Sequence, residues 1–246
     1  MNPLEREGRA PDTPERSNRS SKKGYNVDLV DRAGRRLSLT REERLAFLAA
    51  LDKQPGSVRT FGLVLAYTGC RLSEALSLTG THVDFEARCL IFETLKKRQR
   101  GVFRQVPLPD TLIEAIDRVH GIRDNTRQGK ALEDRLWPWS RTTGFRRVKE
   151  VLEAAGVSAG PHRSPKGLRH AYGVSAILAG VPLNLLAIWM GHASMHATAL
   201  YTRSLGGEQQ AIAERMWSTY EEPSAQATHD PFAMDKPVSG ATSRLY

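Results

Sequence analysis

The sequence predicts a mainly α-helical protein with a small antiparallel β-sheet. Three observations carry that reading. Apolar residues recur at helical spacing through most of residues 38–220. The helical period fails once, where two β-rich runs, Cys89–Phe92 and Val102–Val106, flank a polar stretch. Finally, 40% of the 246 residues are hydrophobic, enough for a core, while both ends of the chain are rich in Ser, Pro and Gly.

The elements follow in order. Residues 1–37 hold few large apolar side chains and read as a basic tail that cannot offset its own ordering entropy. Thr40 and Glu43 have the spacing of a capping box, and Leu45, Leu48 and Leu51 follow as an apolar stripe. A second helix is expected over Ser57–Tyr67, stopped by Gly69, and a short third one begins near Arg71. The two β-rich runs then form a hairpin around the polar stretch Lys96–Gly101. Asp110 is placed as the N-cap of a helix reaching His120, and Arg123–Arg135 reads as a polar loop. Further helices are expected at Thr142–Ala155, Ser164–Ala179, Leu183–Met190, Ser194–Arg203 and Glu208–Tyr220, before a second tail over 221–246.

Composition narrows the function classes. No apolar stretch approaches the roughly 20 residues of a membrane span, and the N-terminus lacks a secretory apolar segment. Two cysteines, Cys70 and Cys89, make neither a disulfide scaffold nor a cysteine-based zinc site, which favours a reduced, cytoplasmic setting. With 36 Lys+Arg against 27 Asp+Glu, the formal charge is +9, and nucleic acid is the first polyanionic partner to consider.

Four blocks occur in a fixed order: Thr68–Glu74 (sequence TGCRLSE), Leu95–Arg98 (LKKR) in the hairpin, Lys166–His170 (KGLRH), and Met190–His192 (MGH) with Tyr201 nine residues after His192. Any one of them is a weak motif. Together, in this order, they resemble the tyrosine recombinases, the family of phage integrases and Xer-type resolving enzymes. The resemblance spans about Leu39 to Trp217 and implies the fold of that family's catalytic domain over residues 38–220.

The residues also make chemical sense on their own. A DNA phosphodiester repels nucleophiles, and its transition state gathers charge on the non-bridging oxygens. Guanidiniums hold such oxygens through paired N–H bonds and stay charged at any working pH. The resemblance gives this role to Arg71 and Arg169; Glu74, one helical turn from Arg71, either orients it or is a solvated helix charge. Tyr201 becomes the nucleophile, forming a 3′-phosphotyrosine and freeing a 5′-hydroxyl. Its ordinary pKa of about 10 calls for nearby positive charge. The departing oxygen needs a proton donor. In the family that is the hairpin lysine, here Lys96, with Lys97 as the alternative. His192 is expected to donate to a phosphate oxygen and to position Tyr201.

One residue departs from the pattern: Lys166 stands where the family usually has His. Three residues before Arg169 it shares that helix face, so it can still donate to the phosphate. A lysine acts as a base only if its pKa falls far below about 10.4. Base function is therefore expected to be lost or shared.

Lys97, Arg98, Arg100 and Arg104 in the hairpin, with Arg141, Arg146 and Arg147 after Trp137, read as DNA grip. Such phosphate contacts give affinity and salt dependence without naming a target sequence. Trp137, Trp139 and Cys70 read as packing. His192 and His196 have zinc-like spacing but no third ligand, so neither a metal nor another cofactor is expected.

The resemblance implies double-stranded DNA as partner, a homo-tetramer on two DNA sites, and the last helix with its tail docking on a neighbouring protomer. It implies work at the nucleoid of a prokaryotic cytoplasm. Because the catalytic pattern begins near Leu39, the chain is expected to grip one side of the duplex, aided by its basic tail or by an accessory DNA-binding protein. Two rival activities remain at this stage: rejoining of the original strand alone, as in a type IB topoisomerase, and DNA binding by a weakened relative of the same fold.

Overall fold

A computed structural model of the chain describes residues 29–94, 101–204 and 208–218. Helix α1 (Arg41–Leu51) begins at the expected capping box. Thr40 Oγ1 accepts the Glu43 N–H at 3.2 Å, and the Glu43 carboxylate accepts the Thr40 N–H at 3.0 Å. The folded chain starts earlier than composition predicts, because Val30 and Arg36 form a β-bridge and Arg36 pairs with Glu43. Ion pairs, including Arg35–Asp31 at 2.8 Å, hold this turn, so hydrophobic patterning does not reveal it.

Helix α2 (Gly56–Thr68) is buried along most of its length and ends where Gly69 turns left-handed, at φ 58°. Helix α3 (Leu72–Leu76) follows with Arg71 at its N-cap. Strands β1 (Val83–Asp84), β2 (Cys89–Glu93) and β3 (Phe103–Pro107) then form an antiparallel sheet in the order β1-β2-β3. Leu90 lies opposite Val106, and Phe92 opposite Arg104. With two residues, β1 is too short to leave a periodic signal.

Helix α4 (Asp110–His120) carries a correction of one residue: Pro109 occupies the N-cap, and Asp110 is already helical. Helix α5 (Ile122–Arg127) replaces part of the polar loop expected over Arg123–Arg135. Ile122 alone anchors it in the core, while Arg123 pairs with Glu114 at 2.9 Å and Asp117 at 3.2 Å and lies over the Phe85 ring. A helix held by charge on its surface looks, in sequence, like a loop.

Helices α6 (Arg141–Ala154), α7 (Pro165–Leu178) and α8 (Leu183–Met190) match the expected spans to within a residue or so. The helix expected over Ser194–Arg203 is divided into α9 (His196–Ala199) and a tight 3₁₀ turn, Leu200–Ser204. Helix α10 (Glu208–Trp217) is the last described element. No described helix is long and apolar enough to cross a membrane.

Among the described residues, two clusters make the core. The larger joins Phe47 and Leu51 of α1, Phe61 and Leu65 of α2, Ile113 and Ile116 of α4, Leu152 of α6, and Leu90 and Val106 of the sheet. Trp137 is fully buried at its centre, edge-on to Phe61 at 5.1 Å, with its indole N–H donating to the Ser57 carbonyl at 2.8 Å. The smaller cluster packs α7, α8 and the 3₁₀ turn around Tyr172, Ile177, Leu186, Met190, Leu200 and Tyr201. The candidate site lies where the two clusters meet.

Candidate active site

A helix leaves its last carbonyls without N–H partners and carries partial negative charge at that end. Helix α8 ends at Gly191, whose φ is 61°, and three arginines from three other segments meet the exposed carbonyls. Arg104 Nε of β3 donates to the Trp189 carbonyl at 2.9 Å. Arg169 Nη2 of α7 donates to the Met190 carbonyl at 2.7 Å. Arg71 donates from Nη1 and Nη2 to the Gly191 carbonyl at 3.3 and 3.2 Å. Three consecutive carbonyls thus each receive a guanidinium, immediately before His192.

Arg169 is further fixed by Nη1 donating to the Gly69 carbonyl at 2.6 Å, which ties α7 to the end of α2. Burial, reinforced by the neighbouring charge of Arg71, lowers its pKa to about 10, so it remains a cation at neutral pH.

Glu74 joins two of the arginines. Its Oε1 accepts from Arg71 Nη1 at 2.7 Å, and its Oε2 accepts the Arg71 backbone N–H at 2.8 Å and Arg104 Nη2 at 2.6 Å. The carboxylate is fully buried. Burial alone would raise its pKa, but the charge of Arg104, the Arg71 N–H and the charge of Arg71 outweigh it and hold the group below the usual carboxylate range. Removing one partner of a buried pair leaves the others uncompensated. Glu74→Gln is expected to cost about 3–5 kcal/mol of stability at pH 7 by urea denaturation. A depressed carboxyl stabilises fully above its unfolded pKa of about 4.3 and loses that contribution as pH falls through the folded value. The gap between wild type and Glu74→Gln should therefore narrow below about pH 4, and a pH-independent gap would contradict the assignment.

Arg104 requires a correction. The sequence places it with the DNA-gripping residues, but the side chain is only 4% exposed and its donors go to Glu74, Trp189 and, at 3.3 Å, Thr94 Oγ1. A signal for this existed. Along β3, Phe103, Gln105 and Pro107 are exposed while Arg104 and Val106 are buried, the period-two pattern of a half-buried strand. Register along β3, rather than charge, sets the place of Arg104.

Tyr201 sits in the 3₁₀ turn with 1% of its surface exposed. Its ring occupies a groove over Gly173 of α7, where a Cβ would come within 2.5 Å of Tyr201 Cζ. Its hydroxyl lies 3.4 Å from His170 Nδ1, and its ring stacks on His192 at 6.4 Å between centroids, with His192 Nδ1 2.7 Å from Thr198 Oγ1. Burial pushes the phenol up to about 12, only partly countered by Arg169 and Arg71, so it is neutral in this position. Burial likewise lowers His170 to about 4 and keeps it uncharged. Spacing gives no role to Gly173, nor to His170 within the KGLRH block, because only the fold places them beneath Tyr201.

The structure thus brings Arg71, Glu74, Arg169, His192 and Tyr201 together. Lys166 is exposed in the first turn of α7, after the N-cap Ser164. Arg141, Arg146 and Arg147 are exposed on α6, the last two leaning on Glu150 at 3.7 and 3.4 Å. Lys96, Lys97, Arg98 and Arg100 lie outside the described residues. Among the described residues, no group of three His, Cys, Asp or Glu side chains could hold a metal ion. Cys70 is buried, and that burial pushes its thiol up to about 12, so it stays protonated at neutral pH.

The phage integrase family model matches residues 38–207. The chain is 31% identical to the tyrosine recombinase XerD of Mycobacterium leprae, over 69% of this chain and 58% of that protein. It is 28% identical to the tyrosine recombinase XerA of Pyrococcus furiosus, over 72% of this chain and 61% of that one. The chain thus spans about three-fifths of the length of these relatives. Solved structures with the same fold include XerH bound to its difH substrate before cleavage, with TM-score 0.58 and 20% identity over 76% of this chain and 59% of that one. The catalytic domain of bacteriophage HP1 integrase superposes with TM-score 0.51 and 19% identity, over 72% of this chain and 93% of that domain.

Proposed function

Because the chain belongs to the phage integrase family, we propose that it is a site-specific DNA recombinase that cleaves and rejoins duplex DNA through Tyr201, without metal ion or ATP. The observation that best supports this reading is the convergence of Arg71 and Arg169 on the turn before His192, with Tyr201 stacked against that histidine. Two fixed cations and a tyrosine at one turn suit attack on a phosphodiester better than passive DNA binding, which needs no buried phenol.

In the proposed reaction, Arg71 and Arg169 hold the non-bridging oxygens of the scissile phosphate. Tyr201 Oη attacks phosphorus, the bond to the 5′ oxygen breaks, and the phenolic proton is released to water. The 5′ oxygen leaves as a hydroxyl after taking a proton from Lys96 or Lys97. His192 donates to a phosphate oxygen, and Lys166 adds positive charge at the mouth of the site. Since the phosphotyrosine conserves the energy of the broken bond, attack by a 5′-hydroxyl from another duplex completes strand exchange. Tyr201 must first leave its groove over Gly173, so DNA binding has to release the 200–204 turn.

The catalytic unit is residues 38–220, acting as a homo-tetramer on two sites in the DNA of a prokaryotic cell, with Arg141, Arg146 and Arg147 gripping phosphates. The test uses a duplex nicked beside the cleavage position, so that the freed 5′ fragment diffuses away and the adduct is trapped. In EDTA and without ATP, the expected product is a covalent protein–DNA species whose linkage maps by peptide sequencing to Tyr201. No adduct on any nicked site would leave a DNA-binding protein of the same fold. An adduct with plasmid relaxation but no recombinant product would mean rejoining of the original strand alone.

A further inference from the structure

Arg104 is a buried cation that no step of the cleavage chemistry touches, yet it contacts two parts of the site at once. Its Nη2 holds Glu74 Oε2 at 2.6 Å, and its Nε holds the Trp189 carbonyl at 2.9 Å. Its Nη1 reaches Thr94 Oγ1 at 3.3 Å, and its Cζ lies 4.9 Å from the Phe92 ring centroid. A Cβ on Gly191 would approach Arg104 Cζ to 2.8 Å, so the guanidinium fills the space directly beneath the turn that presents His192.

We propose that Arg104 is a positioning residue of the cleavage site, setting Arg71 through Glu74 and His192 through the end of α8. This rests on the cleavage reading above and extends it to a residue outside the phosphate's reach. Two physical arguments carry it. Geometrically, Arg71 also donates to Gly191, so the Glu74 carboxylate and the α8 terminus each link Arg104 to Arg71. Electrostatically, Glu74 facing Arg71 alone would cancel its charge. Shared between two guanidiniums, it leaves a net positive charge for an arriving phosphate. Donors on three separate nitrogens of a planar fork let one cation serve a carboxylate, a carbonyl and a hydroxyl spread around it, whereas an ammonium offers all its donors from a single nitrogen.

The experiment compares wild type, Arg104→Met and Arg104→Lys in the full chain. Single-turnover adduct formation on the nicked duplex is measured at saturating protein, with DNA affinity and thermal melting in parallel. Misplacement of reacting groups by a remote change costs roughly 100-fold, so Arg104→Met is expected to slow adduct formation by about that factor. Arg104→Lys, which keeps charge but not the fork, should recover part of the rate. DNA affinity should stay within about threefold for both variants. In a double variant with Glu74→Gln, the combined loss should fall short of the product of the single losses. Hydrogen exchange at the Gly191 and His192 amides, which close the α8 terminus on Ile188 and Ala187, should speed up in Arg104→Met. If Arg104→Met does not fold, Arg104→Lys carries the same comparisons.

Folded variants that form adduct within threefold of wild type, or losses that multiply independently of Glu74, would overturn the proposal. Absence of any wild-type adduct would overturn the cleavage reading instead. Exchange at Gly191 and His192 would then still decide the positioning role, and unchanged rates there would reject it.

Discussion

Tyr201→Phe is expected to abolish covalent capture of DNA while leaving the fold and DNA affinity in place. The substitution removes one oxygen. Among the described residues that oxygen makes one contact, 3.4 Å from His170 Nδ1 and longer than a good hydrogen bond, so the stability change should stay within about 1 kcal/mol. The aromatic ring keeps its seat over Gly173 and its stack on His192. Affinity comes from cations on phosphates and should change by less than twofold. Denaturing gels of the nicked-duplex reaction read the first outcome, and filter binding and thermal melting read the others. Adduct persisting in Tyr201→Phe would point to another nucleophile. Tyr172 shares the smaller apolar cluster with Tyr201, but its ring is packed against Gly69 at the end of α2.

Arg169→Lys is expected to slow adduct formation by about 100- to 1,000-fold, the range for losing one fixed donor to a developing oxyanion. The charge survives; the fork does not. A lysine's three N–H donors radiate from one nitrogen, so they cannot span the separate Gly69 and Met190 carbonyls, held by Arg169 Nη1 and Nη2 at 2.6 and 2.7 Å in the wild type, and also present the guanidinium's planar fork to the phosphate. Because net charge is unchanged, DNA affinity should fall less than threefold and its salt slope should stay the same. The result separates a geometric role from a merely electrostatic one. A slowing below tenfold would mean that positive charge alone suffices at this position.

Much of the fold was legible along the chain. The capping box at Thr40 and Glu43, the stop at Gly69 and the span of α8 are local decisions, made by residues within one turn of each other. What escaped was held by charge rather than apolar periodicity. The Val30–Arg36 turn and helix α5 both rely on arginine–carboxylate pairs, which look the same in a loop as in an ordered element.

The site divides in the same way. Order and spacing of the blocks singled out Arg71, Glu74, Arg169, His192 and Tyr201, and the fold gathers these five. Spacing could not say that Tyr201 is stored beneath the surface, since that depends on Gly173 lacking a side chain on a helix packed from elsewhere. Nor could it separate Arg104 from the basic residues beside it in sequence.

The sequence by itself determined the helical class, the hairpin, the family and the candidate residues Arg71, Glu74, Arg169, His192 and Tyr201 that the fold gathers, because periodicity and motif spacing are properties of neighbours along the chain. Only the tertiary structure decided that three arginines close the end of α8, that one of them is structural support rather than DNA grip, and that the tyrosine rests withdrawn. The physical reason is that an arginine's role follows from what surrounds its guanidinium. Burial turns that cation inward onto carbonyls and a carboxylate, whereas exposure leaves it for phosphate, and neither environment is encoded within a few residues of the arginine itself.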